Sequence, residues 1–343
     1  MPSSIDDDSV LFVLAMTYSS RYNHSMDLAD LSAKHIQEAI NYETLILCLK
    51  RAESHVEPLF ERLGALVPLS NPLPLHPNTY STVTGISTDD LLRTHSHVKT
   101  RFFRLEQNDI VLKRGGPFYP EHVASVPESP RFLYTRGDVN LLSKKCVSVI
   151  GTRNPSDEGK HYTTETVRAL VSHDTVIVSG LALGIDGMAH ITTLAEQGST
   201  IGVLGTPLID VYPKEHRKLQ EIIGQRGLLI SRFSPATQTQ KWHFLLRNRL
   251  MSSISVGSVV IEDRDGGGAV KQALYALEQK RKVVIFQHVL DNRSLLWPRR
   301  IALKYGVLVV KRPQYIHARL FPSLKKEHKL NSPPSQLSLF DLA

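Results

Sequence analysis

From residue 146 onward, apolar and β-branched runs return at nearly even spacing. They are "CVSVIG" at 146, "TVIVSG" at 175, "STIGVLG" at 199, "LLISRF" at 228, "SVVIED" at 258, "VVIFQ" at 283 and "VLVV" at 307, with starts 24 to 30 residues apart. Segments with apolar residues at helical spacing lie between them, among them "DEGKHYTTETVRALVSH", "DGMAHITTLAEQG", "KWHFLLRNRLMSSIS" and "GAVKQALYALEQK". Strand and helix alternating at this interval predict successive right-handed βαβ crossovers. The runs are continuous rather than alternating, as strands are when helices cover both faces of a parallel sheet. Residues 146–310 are therefore expected to form a doubly wound, mostly parallel α/β domain. Residues 1–95 carry i, i+3, i+4 apolar spacing in "DLADLSAKHIQEAI" and "NYETLILCLKRAESHVEPLFERLGAL", which predicts a small helical N-terminal domain. Residues 96–145, punctuated by Pro, are expected to connect the two along the sheet edge. Residues 311–343 read as a flexible tail: the stretch 311–335 holds six Lys/Arg against one Glu and closes with "SPPS".

Candidate chemistry sits at the strand ends. In "SGLALGID" (179–186) a strand runs into a turn and restarts as a helix, whose first N–H groups and aligned dipoles suit a phosphate. Gly180 and Gly184 let backbone or ligand approach closely. The turn reads equally well as a tight turn capped by Asp186. His190 lies one helical turn after Asp186, and the two read as a core-facing or ion-paired couple as readily as ligand contacts. Arg153 follows the first strand and Lys214 the third, and ligands of open α/β sheets bind outside the carboxyl ends of strands.

Charge sharpens this picture. The chain of 343 residues has 41 Lys/Arg against 33 Asp/Glu, a net charge of +8 that suits polyanionic partners. No acid occurs between Glu221 and Glu262, yet Arg226, Arg232, Lys241, Arg247 and Arg249 do. Trp242, His243 and Phe244 stand within that basic stretch, and aromatics among cations suit single-stranded nucleic acid, where bases stack and phosphates pair. Leu245 and Leu250 read as core positions of the same helix. Cys48 and Cys146 are too few for a zinc cage or a disulfide framework, which fits a reducing compartment. "VLFVLAM", preceded by "DDD", is too short and wrongly flanked for a signal peptide or a membrane span, so a cytoplasmic location is expected.

"SPRFLYTRGDVNLL", "VSVIGTRNPSDEGKHY", "VSGLALGIDGMAH", "STIGVLGTPLIDVYPKEHRKL" and "HFLLRNRLMSSIS" together resemble the DNA-processing protein A family (DprA/Smf), over about half the chain. The resemblance implies a Rossmann-like fold, single-stranded DNA binding in a basic pocket, a homodimer, and assistance in loading the recombinase RecA in transformation or repair. Carried over, the DNA pocket comprises Arg153, Ser179, Gly180, Gly184, Lys241, Phe244, Arg247, Asn248 and Arg249, with Asp186, His190 and Lys214 in support. The sequence departs from the family pattern at "DRDGGGAV" and "IFQHVLD", which follow the fifth and sixth strands.

The tail holds a further resemblance. Gln336, Leu337, Ser338, Leu339 and Phe340 are similar to the short peptide that binds the bacterial sliding clamp. A competing enzymatic reading is a nucleotide-binding or nucleoside phosphoribohydrolase-like protein, which wants a Glu soon after its Gly-rich turn; "GGGAVKQALYALE" offers Gln272 and no acid before Glu278. A dinucleotide-binding oxidoreductase would want G-x-G-x-x-G after the first strand, and "GTRNPSDEG" does not supply it. Without a P-loop, H-E-x-x-H or G-x-S-x-G, no catalytic residue, metal or cofactor is assigned.

Overall fold

The structure, a computed structural model, describes residues 25–322. Four helices open it: α1 (Ser25–Leu49), α2 (Glu53–Gly64), α3 (Pro77–Thr84) and α4 (Thr88–Phe102). Two strands, β1 (Asp109–Lys113) and β2 (Phe132–Gly137), flank the short α5 (Glu121–Ala124). Regular alternation follows: β3 (Cys146–Ile150), α6 (Asp157–Val171), β4 (Val176–Ser179), α7 (Ile185–Ala195), β5 (Thr200–Leu204), α8 (Arg217–Arg226) and β6 (Leu228–Ser231). It continues through α9 (His243–Ile254), β7 (Gly257–Val260), α10 (Gly268–Glu278), β8 (Lys282–Phe286), α11 (Gln287–Asp291), α12 (Trp297–Ala302), β9 (Val307–Val310) and α13 (Ile316–Leu320). Each of the seven apolar runs forms one strand.

The nine strands make one sheet in the order β1-β2-β6-β5-β4-β3-β7-β8-β9. Seven are parallel, and β3 sits at the reversal: Ser148 lies opposite Val178 of β4 on one side and Ser258 of β7 on the other. From β3 the chain winds outward to β6, then α9 carries it back across to β7. Right-handed crossovers in opposite directions put α6 and α7 on one face and α9 and α10 on the other. The two crossovers separate above β3 and β7, which opens a crevice there. The expected α/β architecture, mostly parallel and doubly wound, is what the chain adopts.

β1 and β2 add antiparallel strands at the β6 end, so the connecting segment is part of the sheet. The helical unit is fused to that end. Leu45, Phe60, Tyr80, Leu91 and Val98 share one apolar cluster with Val111, Phe132, Tyr134 and Leu229 of the strands. α1 also closes the edge strand: Ser32 Oγ accepts from Val111 N at 3.1 Å and His35 Nδ1 donates to Val111 O at 2.8 Å. Glu57 receives Arg131 at 2.7 Å and also pairs with Arg114, and Lys113 reaches Glu38 at 2.7 Å. Among the described helices none is long and apolar enough to cross a membrane.

One boundary moves. Residues 311–322, expected to begin the flexible tail, are folded instead: Ile316 and Leu320 are buried in the main core. Apolar residues at i and i+4 on α13 outweigh the local basic charge. Residues 323–343, with the clamp-like Gln336–Phe340, lie outside the described residues.

Phe60 tests the shared core. It is fully buried, with its ring 5.0 Å from the Tyr42 centroid and 5.0 Å from the Arg131 guanidinium. Phe60→Ala should cost about 3–5 kcal/mol. Both tryptophans, Trp242 and Trp297, lie in the α/β part, so their fluorescence midpoint in urea should fall together with the circular dichroism midpoint. A tryptophan transition that stays in place would mean that the helices unfold on their own.

Candidate nucleic-acid interface

A cleft of about 560 Å³ opens at the crevice between β3 and β7. Its walls come from the loop after β3 (Gly151, Thr152, Arg153, Asn154), from α9 (Phe244, Leu245, Arg247, Asn248) and from the loop after β7 running into α10 (Asp263, Arg264, Gly266 to Gly268, Lys271, Gln272). Four cations therefore converge: Arg153, Arg247, Arg264 and Lys271. Segments more than a hundred residues apart in sequence meet because β3 and β7 are neighbours in the sheet.

Arg247 forms the floor. It is buried, and its Nη1 donates to the carbonyl of Gly180 and, at 3.3 Å, to that of Val203. The Asp186 carboxylate lies 4.0 Å away. Burial pulls the guanidinium below its ordinary pKa and pushes the Asp186 carboxyl above its own, while each charge opposes the shift of the other. The guanidinium occupies the space a side chain at 180 would need: a Cβ on Gly180 would overlap Arg247 Nη1. Gly184 has φ +77°, and a Cβ there would collide with the carbonyls of Thr152 and Arg153, so this turn presses directly on the loop that carries Arg153. Ser179 is tied inward, donating to Val149 O at 2.7 Å.

Beside the floor stands an aromatic shelf. Phe244 is half-buried with its ring against Gly205, 5.2 Å from the Tyr212 ring and 6.0 Å from the Arg247 guanidinium. Trp242 is 56% exposed at the entrance to α9, next to the exposed Lys241. Leu245, expected in the core, is 37% exposed and lines the cleft, because this turn of α9 faces the crevice; Leu250 is buried.

Several candidates point elsewhere. Arg249 is two residues from Arg247, about 200° around an α-helix, and so leaves by the opposite side, where it meets Glu128 and stacks 4.7 Å from Tyr275. His190 is in the core, donating from Nδ1 to Thr200 Oγ1 at 2.7 Å, while that hydroxyl donates to Ile177 O. Lys214 is exposed on the loop after β5 and does not line the cleft. The phosphate seat expected at the start of α7 is also occupied: Ile185 N donates to Thr152 O, Gly187 N to Ala182 O and Met188 N to Gly184 O. Asp186 accepts from Gly180 N at 3.2 Å, which stabilises the turn. The start of α10 is likewise filled, since Asp263 accepts from Ala269 N at 2.8 Å and Val270 N at 3.1 Å. Anion attraction in this cleft therefore comes from side chains.

None of the wall from Asp263 to Gln272 is among the pocket residues that the family resemblance implies. Its signal was Arg264 and Lys271 flanking three glycines directly after an apolar run. Gln272, where the enzymatic reading wants a carboxylate, is buried and donates to Ser258 Oγ at 3.0 Å. The two acids of the cleft, Asp186 and Asp263, are both engaged internally.

The family model of DNA recombination-mediator protein A matches residues 111–301. The chain belongs to this family. The match runs from β1 into α12 and contains the whole cleft. DNA processing protein DprA of Bacillus subtilis is 39% identical over 166 residues, 48% of this chain and 56% of that relative. The X-ray structure of DNA processing protein A from Streptococcus pneumoniae superposes with TM-score 0.62 at 24% identity, over 83% of this chain and 95% of that one, a likeness of fold. DNA processing protein A from Helicobacter pylori, whose structure is described for a unique single-stranded DNA binding mode, superposes with TM-score 0.55 at 27% identity, over 62% of this chain and 95% of that one. The chain spans about half the length of the curated relatives it matches.

The buried imidazole gives a pH test. Burial holds His190 down at about 3, whereas an unfolded imidazole titrates near 6.5. The unfolded chain thus binds a proton that the folded chain refuses, so the contribution is complete above about pH 6.5 and is lost as pH falls from there toward 3. Urea unfolding at pH 6.5 and 4.5 should show stability falling with acid, and His190→Gln should flatten the slope by roughly 1.4 kcal/mol per pH unit. Parallel slopes in wild type and variant would show that His190 accepts its proton in the folded state.

Proposed function

We propose that this chain binds single-stranded DNA and does no covalent chemistry on it. The observation that carries the reading is the convergence of Arg153, Arg247, Arg264 and Lys271 on one cleft whose two acids are engaged internally, with Phe244 beside them. Phosphates are held by the exposed Arg153, Arg264 and Lys271, with the buried Arg247 fixing positive charge beneath them. A base stacks on Phe244, and Trp242 and Lys241 extend the path at the mouth. Binding of this kind tracks the backbone and shows little sequence preference. The description of the Helicobacter pylori relative as a single-stranded DNA binder supports it.

In this reading the chain acts in the cytoplasm in DNA processing and recombination. A homodimer holds two clefts on one strand and gains avidity. The bound strand is handed to the recombinase RecA during transformation or repair. Gln336, Leu337, Ser338, Leu339 and Phe340 dock on the sliding clamp, the leucines and Phe340 supplying the apolar contacts. No cofactor takes part.

Fluorescence anisotropy with labelled oligonucleotides tests the central claim. Affinity for single strands should exceed that for duplex and fall with salt, with log K against log salt sloping at roughly −2 to −3 for three or four phosphates. Phe244→Ala should weaken binding by about 1–3 kcal/mol, and Arg153→Ala should make the salt slope shallower. Salt-independent binding, or preference for duplex, overturns the reading. Deleting residues 336–343 should abolish clamp binding and leave DNA affinity within about twofold, since the clamp contacts and the DNA contacts are assigned to different residues; a clamp complex that survives the deletion rejects the tail assignment.

A further inference from the structure

A second cleft, about 440 Å³, adjoins the first and shares Thr152, Asp263 and Arg264 with it. Its character is opposite. Where the first carries cations, the second presents Glu158 and Glu262, with His288, Asn292 and the apolar Val289 and Leu295. His288 and Val289 belong to "IFQHVLD", where the sequence departs from the family pattern.

Glu262 is held in place. Its Oε2 accepts from Ser156 N at 3.1 Å and Ser156 Oγ at 2.9 Å, and a Cβ on Gly159 would overlap it, so the carboxylate is clamped between the start of α6 and the end of β7. No hydrogen bond within the described residues uses Oε1. His288 packs at a tilt on Tyr162, with centroids 4.1 Å apart and planes 34° apart, and its Nδ1 is buried without a hydrogen-bond partner among the described residues. The walls are partly apolar, and the carboxylates of Glu158 and Glu262 are acceptors beside the donors Arg264 and Asn292. A phosphate is repelled by two carboxylates. A planar ring that donates N–H to a carboxylate is accepted, as Glu and Asp accept from the cytosine amino group.

We propose that the second cleft receives a nucleobase bearing an exocyclic amino group, turned out of a strand whose phosphates lie in the first cleft, with Arg264 at the junction. This rests on the single-stranded DNA reading above and adds a base preference to it. Thymine presents a carbonyl oxygen where cytosine presents its amino group, and Glu262 repels it.

The test is anisotropy on the full chain with dC and dT homopolymers of equal length, in the wild type, Glu262→Gln and Asn292→Trp; the last narrows the cleft from an exposed rim position. The wild type should prefer dC by roughly tenfold. Both variants should bring the ratio within about twofold by losing dC affinity, with dT affinity unchanged in Asn292→Trp and unchanged or higher in Glu262→Gln. Equal wild-type affinities overturn this proposal alone. Equal losses on dC and dT in Glu262→Gln also overturn it, because Glu262 then only holds the Ser156 loop. Failure of the wild type to bind either homopolymer overturns the single-stranded DNA reading and this one with it.

Discussion

A buried guanidinium, Arg247, is the constraint on which the cleft depends. A buried charge is tolerated only when its surroundings satisfy it, and here those surroundings are the ends of two strands. The carbonyls of Gly180 and Val203 take its Nη1 and Asp186 balances its charge. The same carboxylate receives Gly180 N. The turn after β4, the end of β5 and the helix α9 are therefore held together by one side chain, and each partner dictates another residue: glycine at 180 for space, an acid at 186 for charge. The loop carrying Arg153 is drawn in through Gly184. The floor of the cleft is a buried polar network with a fixed positive charge, in which Arg247 Nη1 is bonded to both strand ends while its Nε has no partner among the described residues.

Above this floor the design changes. Two helix starts point into the region, a common way to hold an anion, yet α7 is closed by backbone carbonyls and α10 by Asp263. What remains for a ligand is Arg153, Arg264 and Lys271, long and exposed. Flexible cations over a rigid floor suit a chain of phosphates of variable conformation better than one small anion in one pose, because each contact forms without demanding the others. Phe244, packed against Gly205 and Tyr212, supplies the rigid flat surface that a stacked base requires.

The sheet was legible because parallel strands covered on both faces are written as unbroken apolar runs, and all seven runs fold as strands. The site was legible only where a turn is unusual in itself, as in "SGLALGID", or where charge is dense, as before α9. Direction around a helix was not: Arg247 and Arg249 look equivalent in a list of cations, but about 200° separates them, and one is the floor while the other pairs with Glu128 outside. Leu245 failed for the same reason in reverse, an apolar residue facing a crevice instead of the core. The role of "DRDGGGAV" was hidden because its value comes from the adjacency of β3 and β7, which local pattern does not contain. His190 and Asp186 share one helix, and only the packing tells that the first belongs to the core and the second to the network.

The helices α1 to α4 lie outside the family match, yet the fold uses them. A sheet that ended at β1 would leave an open edge and a bare apolar face over β1, β2 and β6, and such edges invite unwanted pairing. Ser32 and His35 satisfy Val111 of that edge, and Leu45, Phe60 and Tyr80 cover the face. The same layer reaches the site through the loop from β6 to α9. Arg232 pairs with Glu53 at 3.2 Å, Arg101 donates to Pro235 O at 3.2 Å, and Thr237 donates to Glu43 at 3.2 Å. That loop delivers Lys241, Trp242 and the first turn of α9, so anchoring it from the helical side fixes where Phe244 and Arg247 begin. A layer that at first reads as a separate domain is thus tied both to the edge of the sheet and to the entrance of the cleft.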